Sequence, residues 1–299
     1  MIDNFADRLL EAIERKGSPV CVGLDPTWDS LPDQLREHQA SPTGKLQAVA
    51  AFCQGVLEAV APIVPAVKIQ SAYFEVFRAG GVELYFQMVR LARRLGMVVI
   101  GDVKRNDIGP TAAAYAQAHL AGLDAPDAVT VNGYFGADGI DPFCDVAAGE
   151  GKGLFVLVRT SNPSAGQIQD FASPDRKTLY QHIAGQVAAL GDNPGLIGRS
   201  GYSSLGAVVG ATYPDEARLL RRLMPRQLFL VPGYGAQSAT ADDCAAAFNN
   251  DRTGAIVNAG RSVIYAYRQD GHKDADWKQA VAAAAEAFAR DIRLAVGRT

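Results

Sequence analysis

The run GDVKRNDIGPT, residues 101–111, gathers Asp102, Lys104 and Asp107 where an apolar stretch, MVVIG, ends. Asp102 and Lys104 are two residues apart, so on a strand their side chains share one face. Asp107 follows where the chain turns toward the next helix. Setting an ammonium and a carboxylate against an apolar wall costs several kcal/mol per ion unless compensated. That pattern marks a place where charge is handled more often than a device for stability. A purely structural account also exists: Asp107 as a helix N-cap, Pro110 as a first-turn residue and Lys104 as a surface partner for Asp102.

Other polar residues stand at the ends of apolar runs. Asp25 closes PVCVGLD, Lys68 lies inside AVKIQ, Ser161 closes GLFVLVRTS, Gln237 follows QLFLVPG and Arg261 follows GAIVNAG. One such residue alone reads as a solvated loop charge. Several at one end of a sheet converge on a common mouth. VPGYGAQ, residues 231–237, suits an anion, because its glycines let backbone N–H groups approach closely and Gln237 adds an amide donor. NAGRS, residues 258–262, adds Arg261, whose planar fork matches phosphate oxygens. Together the two turns predict a phosphomonoester site.

Eight short apolar runs must position these groups, near residues 19–25, 66–70, 97–104, 128–132, 153–161, 205–212, 227–233 and 254–260. Each is nearly continuous rather than alternating, as in strands buried on both faces of a parallel sheet. Helical patterns lie between them at 46–59, 82–95, 110–120, 175–190 and 215–223. This alternation predicts an α/β fold, a (β/α)8 TIM barrel. An open doubly wound sheet is the competing arrangement. No GxGxxG follows the first run, and the glycine-rich turns follow runs seven and eight, where barrels bind phosphate. A helix at about 3–15 is expected to cap the barrel bottom, and one at about 274–296 to close a single domain over 1–299. The turn-rich parts of the long insertion at 162–204, SNPSAGQ and GDNPGLIGRSGYSS, are expected to form a lid.

Composition narrows the class. The 299 residues are 48% hydrophobic and 20% charged, which excludes a disordered chain, a collagen and a disulfide scaffold. A net charge of -3 provides no basic field for nucleic acid. Cys21, Cys53, Cys144 and Cys244 form no CxxC pair and read as free thiols of a reducing compartment. His38, His119, His182 and His272 are scattered, so no metal site is expected. The N-terminus lacks a signal peptide's apolar core, and Gln54, Gly55, Glu58, Pro62 and Pro65 interrupt the most apolar stretch. A cytoplasmic protein without membrane contact is the expectation.

With VGLDP, AVKIQSAYFE, DVKRNDIGPT, RTSNPSA, VPGYGAQ and NAGRS in this order, the sequence resembles the orotidine 5'-phosphate decarboxylase family, in its longer-chain branch. The Asp-x-Lys-x-x-Asp core is shared with a wider group of sugar-phosphate enzymes. Its combination with SNPSA, PGYGAQ and GRS is far more specific. One departure is Asn106, where glycine is common in that branch. The resemblance implies conversion of orotidine 5'-phosphate to UMP and CO2 in de novo pyrimidine biosynthesis, without metal or organic cofactor. It also implies a homodimer, with Asp107 and Thr111 reaching the neighbouring site. Lys68, Asp102, Lys104 and Asp107 would be the catalytic charge array. Asp25, Lys68, Asp107 and Thr111 would meet the ribose hydroxyls and Ser161 the pyrimidine edge. Gln237, Gly260 and Arg261 would hold the phosphate, and Pro232 would line the pocket.

Two other readings compete. One is a keto-sugar-phosphate decarboxylase or hexulose-phosphate synthase of the same superfamily, which would use Mg2+ and an enediolate. SNPSA and PGYGAQ argue against it. The other is a barrel that binds a nucleotide without reacting it. That needs phosphate and base contacts but no alternating Lys-Asp-Lys-Asp array.

Overall fold

In the computed structural model, which describes residues 3–37, 41–269 and 276–297, eight parallel strands close on themselves in sequence order. They are β1 (Val20–Leu24), β2 (Ala66–Gln70), β3 (Val98–Arg105), β4 (Ala128–Asn132), β5 (Gly153–Arg159), β6 (Ser203–Val209), β7 (Gln227–Pro232) and β8 (Ala255–Ala259). The pairing of β1 with β8 completes a (β/α)8 barrel. The open sheet is thereby excluded.

Strand residues are apolar on both faces because each face meets a different apolar layer. Val20, Val22 and Leu24 of β1 point outward to the helices, in one cluster with Phe52 and Val56. Cys21, Ala66, Ile100, Phe155, Leu230 and Ile256 point inward and fill the barrel. The N-terminal helix Phe5–Lys16 plugs its lower end with Phe5, Leu9 and Ile13. Asn4 caps that helix, accepting from the Ala6 amide, and the Phe5 ring meets Phe155 edge-on at 5.9 Å. This plug is an apolar floor beneath the charged mouth.

Three features depart from the expectations. The helix Ala137–Glu150 between β4 and β5 has no clear sequence signal, since Gly139 and Pro142 depress its propensity. Burial of Ile140, Phe143 and Val146 stabilises it instead. The helix expected from 175 starts at Leu179, where the Thr178 amide donates to the Gln181 side chain. GDNPGLIGRSGYSS is no lid. The Arg199 and Ser200 amides donate to the Asp7 carboxylate at the opposite end of the barrel, and Asn4 Nδ2 donates to the Leu196 carbonyl. A crossover in a parallel barrel must return to the N-terminal end of the next strand, and this segment makes that return. In the C-terminal region, helix Trp277–Ala295 packs on the helix Pro42–Val60, with Trp277 against Phe52. Residues 274 and 275 of the expected closing helix lie outside the described residues, as do His38 and His272.

All four cysteines are free, and three are buried. Among the described residues, no helix is long and apolar enough to cross a membrane, and no three His, Cys, Asp or Glu side chains are placed to hold a metal.

Candidate active site

The C-terminal ends of the strands open on a cavity of about 430 Å³, within the roughly 300–1,000 Å³ typical of small-molecule sites. A shallower depression of about 560 Å³ between Leu31, Arg36, Tyr267 and Trp277 lies on the outer wall and is lined by no strand residue. The 430 Å³ cavity brings together Asp25, Lys68, Asp102, Lys104, Ser161, Pro232 and Gln237 from strands or the turns after them.

Asp102 is the hub. The parallel register of β2 and β3 sets Gln70 beside it and Lys68 two residues below on the same inward face. Lys68 Nζ donates to Asp102 Oδ2 at 2.7 Å and Gln70 Nε2 to the same oxygen at 3.0 Å. Oδ1 accepts from Lys104 Nζ and, at 2.8 Å, from the Thr130 hydroxyl. All four acceptor directions of the carboxylate are therefore used. Lys68 Nζ also stands 3.8 Å from Asp25 Oδ1.

Burial opposes charge on Asp102, yet Lys68 and Lys104 outweigh it and hold the carboxyl well below the usual range. Burial likewise opposes charge on Lys68, but Asp102 and Asp25 outweigh it and hold the ammonium above the ordinary lysine value. Both groups are therefore ionised at neutral pH. The side chains of Lys68 and Asp102 are each 7% exposed, whereas that of Lys104 is 46% exposed. Buried Asp102, itself paired with buried Lys68, thus holds the Lys104 side chain at the opening.

The backbone of Lys104 is unusual. Its φ is 45°, left-handed for a residue with a side chain, and such positions cost roughly 1–3 kcal/mol. The β3–β4 register shifts between Gly101 and Arg105. Asn106, flagged by the sequence, is not among the residues with positive φ; Lys104 and Gly109 are.

A similar irregularity changes the fate of Arg159. The β5–β6 register shifts between Leu157 and Arg159, and Arg159 turns away from the mouth. Its guanidinium lies 4.1 Å from the Tyr213 ring and bridges Glu216 and Asp170. Gln169, also bonded to Arg159, accepts from the Thr160 amide and donates to the Thr160 hydroxyl. The strand end carrying Ser161 is anchored in this way.

The glycine-rich turns after β7 and β8 touch. A Cβ on Gly235, whose φ is 70°, would come within 3.2 Å of Ser262 Oγ, so this approach requires glycine. Gly260 lies against Asp25, with its would-be Cβ 3.3 Å from Asp25 Oδ2. Arg261 is exposed and makes no ion pair or side-chain hydrogen bond among the described residues. Gly260 and Arg261 border the cavity without lining it.

Asp107 and Thr111 do not join this cavity. Asp107 Oδ1 accepts from the Ile108 amide, and Thr111 is exposed on the helix Gly109–His119. Conversely, sequence reasoning missed Gln70, Thr130 and Asn258, which all line the cavity. Each is a polar residue at an inward position of a largely apolar strand, and that was the available signal. Asn258 Oδ1 and Asp25 Oδ1 are buried with no hydrogen-bond partner, leaving acceptors free for a ligand's donors.

The sequence model of the orotidine 5'-phosphate decarboxylase / HUMPS family matches residues 18–273. Orotidine 5'-phosphate decarboxylase from Rhodopirellula baltica is 42% identical over 293 residues, covering 94% of this chain and 96% of that protein. The Deinococcus radiodurans protein of the same name is 42% identical over 268 residues, covering 89% and 91%. Among solved structures, OMP decarboxylase from Leishmania donovani superposes with a TM-score of 0.75 at 29% identity, covering 98% of this chain and 99% of that one. With the charge array at the barrel mouth and these matches over most of its length, the chain belongs to the orotidine 5'-phosphate decarboxylase / HUMPS family.

Proposed function

We propose that the chain decarboxylates orotidine 5'-phosphate to UMP and CO2, with Lys104 stabilising and then protonating the C6 carbanion. The observation that carries this reading is the Lys104 ammonium, bonded to a buried, ionised Asp102 and standing at the cavity mouth. The relatives named above bear the name of that activity.

The bond between C6 and the carboxylate breaks, CO2 leaves, and its electron pair remains on C6. That pair has no conventional sink in the ring, so a preorganised cation must stabilise it. Lys104 Nζ supplies the charge and then its proton, which completes UMP and leaves a neutral amine to be reprotonated from solvent. The substrate carboxylate sits near Asp102, and their repulsion is relieved as CO2 departs. Asp25 and Asn258, with their unpartnered oxygens, accept from ribose hydroxyls. Ser161 addresses the pyrimidine edge beside Pro232, and Gln237, Gly260 and Arg261 hold the phosphate. Phosphate binding closes the turns over the site and excludes water, which strengthens the charge array.

Purified protein is expected to remove the absorbance of orotidine 5'-phosphate equally well with and without EDTA. No absorbance change, with tight UMP binding, would leave a nucleotide-binding barrel. Activity abolished by EDTA would instead favour the Mg2+-dependent sugar-phosphate chemistry.

The same reading makes the protein a homodimer in which Asp107 and Thr111 complete the neighbouring site. Its support is that both lie off their own cavity beside exposed apolar side chains. Tyr134 is 72% exposed, Ile108 54% and Phe135 50%. Phe135 Cβ and the Asp107 backbone carbonyl both lie beside Gly139, and Asp107 Oδ1 accepts from the amide of Ile108, so the patch adjoins Asp107. Mixing Lys104→Ala with Asp107→Ala, each inactive alone, is expected to restore turnover. A mixed dimer holds one site with both native groups only if Asp107 acts across the interface. Absence of recovery after verified subunit exchange would place Asp107 in its own site.

A further inference from the structure

The left-handed turn at Lys104 needs something to hold it, and the structure offers one group. Gly101 pairs with Val129 and Arg105 with Val131, so Asp102, Val103 and Lys104 face a single β4 residue, Thr130. The Lys104 amide, drawn out of the backbone ladder by this mismatch, donates to Thr130 Oγ1 at 3.0 Å. The same hydroxyl donates its proton to Asp102 Oδ1 at 2.8 Å. Thr130 is 1% exposed, so neither bond can be replaced readily by bulk water. Its acceptor role fixes where the Lys104 backbone stands, and its donor role fixes the oxygen to which the Lys104 ammonium is bonded. One side chain therefore sets both ends of the lysine.

Resting on the decarboxylation reading above, we propose that Thr130 is a positioning residue of that reaction: its hydroxyl locks the turn at Lys104 and aims Asp102, so that the ammonium meets the carbon that becomes negative. Thr130 acts through Lys104 and Asp102 and is assigned no step of its own. Its contribution belongs to the reacting centre, because both of its hydrogen bonds go to Lys104 and Asp102, whereas the phosphate contacts proposed above lie on the turns after β7 and β8.

Thr130→Val keeps the shape and removes the hydroxyl, and Thr130→Ser keeps the hydroxyl and removes the methyl. In the full-length protein, Thr130→Val is expected to lower kcat roughly 100-fold, the scale of a misplacement of about 1 Å. KM for orotidine 5'-phosphate should hardly change, and Thr130→Ser should recover most of the turnover. Thermal unfolding of each variant gives the folded fraction to which kcat is referred. If Thr130→Val does not fold, Thr130→Ala carries the same expectation. Native kcat in the hydroxyl-free variant, a rise in KM with kcat kept, or a loss explained entirely by a smaller folded fraction overturns the role. So does an equal kcat loss in Thr130→Ser. Wild-type protein that releases no CO2 overturns the functional reading itself, and this role with it.

Discussion

Lys104→Ala is expected to abolish decarboxylation while leaving a folded protein that still binds UMP. General acid catalysis contributes about 10²–10⁴-fold and one preorganised electrostatic interaction about 10²–10³-fold, so a loss of at least ~10⁴-fold in kcat is the scale. The fold should survive because Asp102 keeps three donors, Lys68, Gln70 and Thr130. The lysine side chain is also nearly half exposed. UMP carries no carboxylate, and in the proposed site its phosphate is held by Gln237, Gly260 and Arg261, on turns remote in sequence from Lys104. Single-turnover assays with orotidine 5'-phosphate, calorimetric titration with UMP and a thermal melt separate chemistry, binding and stability. Turnover near the native rate would remove Lys104 as the proton donor. Loss of UMP binding together with turnover would make it a binding residue instead.

Arg261→Ala is the second large effect, and its signature is selectivity. A hydrogen bond to a charged group contributes about 1.5–3 kcal/mol, and the guanidinium fork can make two. Removing one such bond corresponds to a fall of roughly 10- to 150-fold in kcat/KM for orotidine 5'-phosphate. The nucleoside orotidine lacks the phosphate and should react equally slowly with both proteins. Equal losses on the two substrates would place Arg261 in the chemistry or in the fold. The structure gives little reason for a fold effect, since Arg261 is exposed and has no ion-pair partner among the described residues. Binding energy from the remote phosphate can be used in closing the site.

Much of this protein was legible before any coordinates. Continuous apolar runs such as AVTVN and QLFLVPG read as strands buried on both faces, and eight of them with helical spacers read as a barrel. Charged residues at the ends of those runs read as the mouth, and Asp25, Lys68, Asp102 and Lys104 do line one cavity. Less visible were the helix Ala137–Glu150, where packing overrides Gly139 and Pro142, and the path of 191–204, where an insertion rich in turns runs to the barrel floor rather than over the site.

The limit is set by the range of the forces involved. Side-chain alternation and apolar content are local properties, so the chain's own order determined the strands, the barrel and the identity of its charged groups. Register is a property of two strands at once. Only the tertiary structure decided that β3 carries two more residues than β4 between shared pairs, which turns Lys104 left-handed and brings Thr130 to it. A register shift in β5 likewise sent Arg159 outward to Glu216 and Asp170. Pairing of β2, β3 and β4 brought donors from all three to the two oxygens of Asp102. Such convergence depends on cross-strand distances, which no periodicity along one chain encodes.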